Sequence, residues 1–189
     1  MSIAVIYGGN RPNGNVETLT KLVTQDLKVE EIYLKDYSIQ PIIDKRHTEE
    51  GFSEVNDDYN SIIERILPHD ILLFSTPIYW YSMAGPMKNF IDRWSQTLRD
   101  STYPNFKDNM SSKKAYVIAV GGDMPYIKGL PMIQQFQHIF DFIGTSFEGY
   151  ILGEGNKPGD IVQDLKAMAA AECLRKELQL QEIKKGFGR

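Results

Sequence analysis

Five short runs rich in Val, Ile, Leu, Phe and Tyr alternate along the chain with longer stretches whose apolar residues recur every three or four positions. This alternation is the signature of repeated β-α-β units, which pack helices against both faces of a parallel sheet. The runs predict strands at Ile3 to Tyr7, Glu31 to Leu34, Asp70 to Phe74, Ala115 to Val120 and Phe147 to Leu152. Ile71-Leu72-Leu73-Phe74 and Tyr116 to Val120 are apolar throughout, as expected of central strands covered on both faces. Helices are predicted at about Asn15 to Asp26, Asp57 to Leu67, Gly85 to Leu98, Pro131 to Ile143 and Asp160 to about Lys184. In the third of these, Met87, Phe90, Ile91, Trp94 and Leu98 form one apolar stripe. The expected fold is a three-layer α/β/α sandwich on a five-stranded parallel sheet in the order 2-1-3-4-5, with residues 1–189 forming one domain.

Composition narrows the function classes. A formal charge of −4, with no basic cluster larger than Lys184-Lys185, lacks the footprint of a nucleic-acid binder. The N-terminus has no basic n-region, and no apolar run approaches the roughly 20 residues that cross a bilayer, so neither secretion nor a membrane partner is expected. Cys173 is the only cysteine, which excludes an intrachain disulfide and suits a reducing cytoplasm. His47, His69 and His138 have no ligand spacing, and no metal is expected.

Three loops carry the chemistry. After the first strand comes Gly8-Gly9-Asn10-Arg11-Pro12-Asn13-Gly14-Asn15-Val16, a polar glycine-rich turn leading into a helix. Unpaired N–H groups at a helix start, reinforced by the helix dipole, make an anion site. Arg11, Asn10 and Asn15 add donors suited to a phosphate monoester. Gly9 to Gly14 has P-loop spacing, but Asn15-Val16 stands where Lys and Ser/Thr would be needed, so triphosphate hydrolysis is not expected. The third strand leads into Thr76-Pro77-Ile78-Tyr79-Trp80-Tyr81, whose aromatics could line one side of a planar ligand. The fourth leads into Gly121-Gly122-Asp123, where paired glycines would let backbone approach a flat ring. In the expected strand order these loops meet at the topological switch point, where open α/β sheets bind ligands.

At these residues the chain resembles the NADPH-dependent FMN reductase family of flavodoxin-like proteins. Gly8 to Val16 echoes that family's G-S-x-R-x-x-G-N-T loop, and Thr76-Pro77-Ile78-Tyr79 with Lys88, Asp92, Arg93 and Trp94 echoes its later S-P-x-Y and K-x-x-x-D-R-W segment. The likeness runs from the first strand to the last helix. It implies that Arg11, Asn13, Asn15 and Val16 surround the phosphate of a flavin mononucleotide (FMN), with Gly9, Asn10 and Gly14 of the same loop also among the cofactor-binding residues. Pro77, Ile78, Tyr79 and Trp80 would border the isoalloxazine, with Thr76 before them also cofactor-binding, and Gly121, Gly122 and Asp123 would close its other edge. Gly9 and Val16 depart from the pattern, standing where the family usually has hydroxyl residues. Related iron-sulfur flavoproteins carry a cysteine cluster after the second strand, and Pro41 to Asn56 contains none, so no iron-sulfur cluster is expected.

The resemblance implies an oxidoreductase that takes hydride from NAD(P)H and passes it through bound FMN to a small acceptor such as a quinone, a nitro or azo compound, or free flavin. The competing expectation is a flavodoxin-type electron carrier that does not itself oxidise a nicotinamide. An aromatic loop left exposed beside a shallow flavin crevice also suggests a homodimer or homotetramer.

Overall fold

The computed structural model describes the backbone of residues 1–187 and the side chains of residues 1–183. Strands β1 (Ile3–Tyr7), β2 (Val29–Tyr33), β3 (Ile71–Tyr79), β5 (Lys114–Gly121) and β6 (Ser146–Glu154) form a parallel sheet in the order β2-β1-β3-β5-β6. This is the expected order of five parallel strands. A further two-residue strand, β4 (Ser82–Met83), folds back antiparallel on the end of β3. β3 outruns its predicted end because Ser75, Thr76 and Pro77 stay paired with Ile118, Ala119 and Val120 of β5. β2 starts earlier than predicted, with Val29 opposite Ile3.

The helices are α1 (Asn15–Thr24), α2 (Tyr59–Ile66), α3 (Gly85–Asp92), α4 (Trp94–Thr97), α5 (Phe106–Ser111), α6 (Pro125–Lys128), α7 (Leu130–Ile143) and α8 (Leu165–Phe187). The helix predicted over Gly85 to Leu98 is two, because the turn tightens after Arg93, whose carbonyl accepts from the N–H of Gln96 at 2.9 Å. Asp160 opens a 3-10 turn ending at Gln163, and α8 begins only at Leu165. The short helices α5 and α6 have no periodic stripe to announce them.

Strand alternation divides the core into two layers. Ile3, Val5, Tyr7, Leu73, Ile118 and Ile151 face α1 and α8, where Leu19, Val23, Ala171 and Leu178 cover them. Ala4, Ile6, Phe74, Val117 and Ala119 face α2, α3, α5 and α7. Phe74 anchors that second layer, its ring 5.1 Å from Phe140, 5.8 Å from Phe136 and 6.2 Å from Trp94. Removing a ring so fully packed would cost about 3–5 kcal/mol.

Between β2 and α2 the chain forms a 3-10 turn (Leu34–Asp36) and then a strap without regular structure up to Tyr59. Polar anchors fix its first part. Ser38 N–H donates to Asp58 Oδ2 at 2.7 Å, Gln40 N–H to Asp57 Oδ2 at 2.9 Å, and Asn89 Nδ2 to the Ile39 carbonyl at 2.6 Å. Arg93 donates to the Gln40 carbonyl at 3.0 Å.

Candidate cofactor site

The carboxyl ends of β1, β3 and β5 open into one cleft. At its first end Gly8 N–H donates to the Ser75 carbonyl at 2.8 Å, extending the β1–β3 ladder into the loop. A Cβ on Gly8 would lie 2.8 Å from Met87 Cβ, so this glycine is required by the packing of α3. Asn13 takes a left-handed conformation, φ 52°, and its N–H donates to Glu17 Oε2 at 2.8 Å. Glu17 also accepts from Lys21 at 2.7 Å and from the Tyr33 hydroxyl at 3.3 Å. Burial alone would raise the Glu17 carboxyl, but the Lys21 ammonium and the Asn13 N–H outweigh it and hold the group below the usual carboxylate range. With the turn locked in this way, α1 starts behind Gly14 with no side-chain cap. The first-turn N–H groups of a helix have no intrahelical partner, and here they border a cleft of about 170 Å³ lined at this end by Gly9, Arg11, Gly14, Asn15 and Val16.

Not every predicted donor points into that cleft. The Asn15 side chain is committed elsewhere: Nδ2 donates to the Lys157 carbonyl at 2.8 Å, and Oδ1 accepts from Gly159 N–H at 2.9 Å. Asn15 can offer an anion only its backbone. Asn10 lines a separate trough on the far side of the loop, and Asn13 lines neither. Arg11 remains available, since it donates to the Asn156 carbonyl at 3.3 Å and meets no carboxylate among the described residues.

At the other end Pro77, Ile78 and Tyr79 form one wall and Gly121 with Gly122 the opposite one. A second cleft of about 310 Å³ continues from it, sharing Ile78, Gly121, Gly122 and Asn156 and adding Trp80, Tyr81, Asp123 and Lys128. The glycines let the walls close: a Cβ on Gly121 would lie 3.2 Å from Ile78 Cβ, and one on Gly122 would lie 3.1 Å from Asn156 Cβ. Thr76 is fully buried beneath the cleft, where its hydroxyl accepts from Ala84 N–H at 3.0 Å and braces the hairpin. Ile78 pairs with Met83 and Tyr79 with Ser82, so Trp80 and Tyr81 form a two-residue turn, with φ of 49° and 62°. This is the type I′ arrangement, which ordinarily takes Asn-Gly. The Trp80 side chain is 94% exposed, whereas Tyr81 bridges the mouth of the cleft, donating to Asp123 Oδ2 at 2.9 Å. Lys128 also donates to Asp123 Oδ2, at 2.6 Å. The Lys128 ammonium first, and then the Tyr81 hydroxyl, hold the Asp123 carboxyl below its ordinary range.

The sequence reading overlooked the loop after β6. Gly155 and Asn156 reach the cleft because the chain must cross the ends of β5 and β3 to enter α8, which packs beside α1. The run Gly153-Glu154-Gly155-Asn156-Lys157-Pro158-Gly159 has the same post-strand composition as the first loop and was the available signal. Lys128 had no such signal, since it enters through the short helix α6.

The residues fit a flavin mononucleotide in kind. An uncapped helix start and one guanidinium that meets no carboxylate among the described residues suit a monophosphate, no lysine follows for a triphosphate, and the far end offers apolar and aromatic walls around Ile78. No group of three or more His, Cys, Asp or Glu placed to hold a metal occurs among the described residues.

Comparison with known proteins shows the family. The family model for NADPH-dependent FMN reductase matches residues 1–146. The chain belongs to this family. A Bacillus subtilis (strain 168) protein named as an NAD(P)H-dependent FMN-containing oxidoreductase is 61% identical over 176 residues, covering 93% of this chain and 97% of its own length. The solved structure of a Bacillus subtilis Trp repressor binding protein superposes with a TM-score of 0.79 at 54% identity, covering 92% of this chain and 97% of that one. An FMN-dependent NADH-azoreductase from Bacillus anthracis, solved in complex with FMN, shares the fold at 14% identity, with a TM-score of 0.65 and coverage of 94% and 99%.

Proposed function

We propose that this chain is an FMN-dependent NAD(P)H oxidoreductase that delivers hydride to a small acceptor. Family membership supports the chemistry, and one structural observation supports its placement: the two clefts are continuous, with an anion end at α1 and an aromatic end at Trp80 and Tyr81. Bound there, FMN supplies the redox step, taking hydride from the reduced nicotinamide and giving it to the acceptor. The protein binds and orients. Arg11 and the first-turn N–H groups of α1 hold the phosphate, with the Glu17–Asn13 bond keeping the turn in shape. Pro77, Ile78 and Tyr79 support the ring on one side, and Gly121 with Gly122 limit it on the other. The Tyr81–Asp123 bridge sets the width of the opening. Exposure of Trp80 and Tyr79 around that opening supports a homodimer or homotetramer, and the single cysteine supports a cytoplasmic location.

The test is direct. The protein mixed with FMN and freed of excess should be yellow, and NADPH or NADH alone should bleach the visible flavin band. Protein that stays colourless overturns the proposal. Reduction only through a partner reductase would instead make it an electron carrier, and sedimentation as a monomer would remove the oligomer.

A further inference from the structure

We infer that the trough on the outer side of the first loop binds the adenosine-diphosphate half of the nicotinamide dinucleotide. This rests on the proposed reaction and assigns where its reductant is held. At about 890 Å³ the trough is larger than either part of the cofactor cleft and lies in the range of small-molecule sites, about 300 to 1,000 Å³. It abuts the cofactor cleft, because successive residues of one loop face opposite ways: Gly9 and Arg11 line the cleft and Asn10 lines the trough. A ligand seated there is separated from the anion end of the flavin site by the thickness of a single loop. A dinucleotide donor needs such a neighbour, since its nicotinamide must reach the ring while two phosphates and an adenosine lie outside.

The wall is built rather than loose. The strap residues Ile39 and Pro41 form one side; Asp57 and Asp58 tie the strap backbone to itself, and Asn89 and Arg93 tie it to α3 and its end. Those anchors include a fully buried ion pair, Arg93 with Asp57 at 2.6 Å.

The lining has the right chemistry for a nucleoside diphosphate. Lys35, in the turn after β2, and Lys88, on α3, both line the trough, together with the carboxylate of Asp92. Each ammonium pairs with a carboxylate of its own segment, Lys35 with Asp36 and Lys88 with Asp92, both at 2.6 Å and both solvent-exposed. Exposed pairs of this kind are weak, so both cations can turn toward incoming phosphates at little cost. Tyr37, Ile39 and Pro41 supply the apolar surface that a purine requires.

The test compares two hydride donors on the FMN-loaded double variant Lys35→Ala/Lys88→Ala. NADPH carries the diphosphate, and N-benzyl-1,4-dihydronicotinamide carries only the reacting ring. The apparent Kd for NADPH, read from rapid flavin reduction, should rise at least tenfold while the rate with the benzyl donor and the affinity for FMN stay unchanged. In parallel, calorimetric titration with ADP-ribose, which cannot transfer hydride, should show binding to the parent protein and at least tenfold weaker binding to the variant. An unchanged NADPH Kd, an equal loss with both donors, or ADP-ribose binding that the substitutions leave intact overturns the assignment. If the parent flavin is reduced by neither donor, the proposed reaction fails instead, and the ADP-ribose titration still decides the trough.

Discussion

Arg93 and Asp57 meet at 2.6 Å with both side chains only 2% exposed, and together they grip the backbone of Gln40 from both sides. The Asp57 carboxylate accepts the Gln40 N–H, the Arg93 guanidinium donates to the Gln40 carbonyl, and the Arg93 group lies 4.5 Å from the centre of the Tyr59 ring. The arginine of the family-like D-R-W segment is therefore an architectural residue. It does not touch the cofactor cleft.

Removing one partner of that pair leaves a buried, uncompensated charge. Asp57→Ala should cost about 3–5 kcal/mol, whereas the apolar double variant Asp57→Leu/Arg93→Met should recover most of the loss. Urea unfolding followed by circular dichroism checks this; a single variant that unfolds at the parent midpoint would refute it.

The two tryptophans sit in opposite environments, Trp94 buried among Phe74, Phe90 and Phe106 and Trp80 almost wholly exposed at the rim of the cleft. Titration with FMN should therefore quench the red-shifted part of the tryptophan emission first. Trp80→Phe should remove that part and leave the blue-shifted emission of Trp94. Equal quenching of both components would place the flavin elsewhere.

Among the described residues that line the anion end of the cleft, Arg11 is the one with a charged side chain. Charged hydrogen bonds contribute about 1.5–3 kcal/mol, so Arg11→Ala should weaken FMN binding roughly tenfold to a hundredfold. Riboflavin, which lacks the phosphate, should bind parent and variant alike. Fluorescence titrations with both flavins measure the contrast, and a parallel loss for riboflavin would deny Arg11 its role.

Glu17 locks the turn, its side chain being 12% exposed and its pKa lowered in the folded state. A carboxyl with a depressed folded pKa gives stability that is fully present above its unfolded value, about 4.3, and lost as pH falls through the lower folded value. The melting temperature of Glu17→Gln should thus lie below that of the parent at pH 7, and the two should converge in acid below that value. A gap that persists or widens in acid would contradict the lock.

Most of the sheet was legible in the sequence because its strands are short apolar runs and their order follows from β-α-β alternation. Most places where the reading stopped depend on partners distant in the chain. Nothing local to Asn15 shows that its amide is taken by Lys157 and Gly159, or that Asn156 will stand beside Arg11. The hairpin at Trp80 and Tyr81 was hidden for another reason, since it lacks the Gly or Asn by which such turns are usually recognised. Thr76 and Arg93 matched motif positions and proved to brace the hairpin and the strap.

That turn sets a trade between robustness and use. Two bulky aromatics in left-handed backbone cost on the order of 1–2 kcal/mol each relative to a turn of Asn and Gly. A version of this chain with Asn-Gly at residues 80 and 81 would withstand heat better, and would have surrendered the indole and the phenol that stand at the entrance. The native chain is thus less thermostable than its own framework permits, and the shortfall is concentrated in the two residues any incoming molecule meets first.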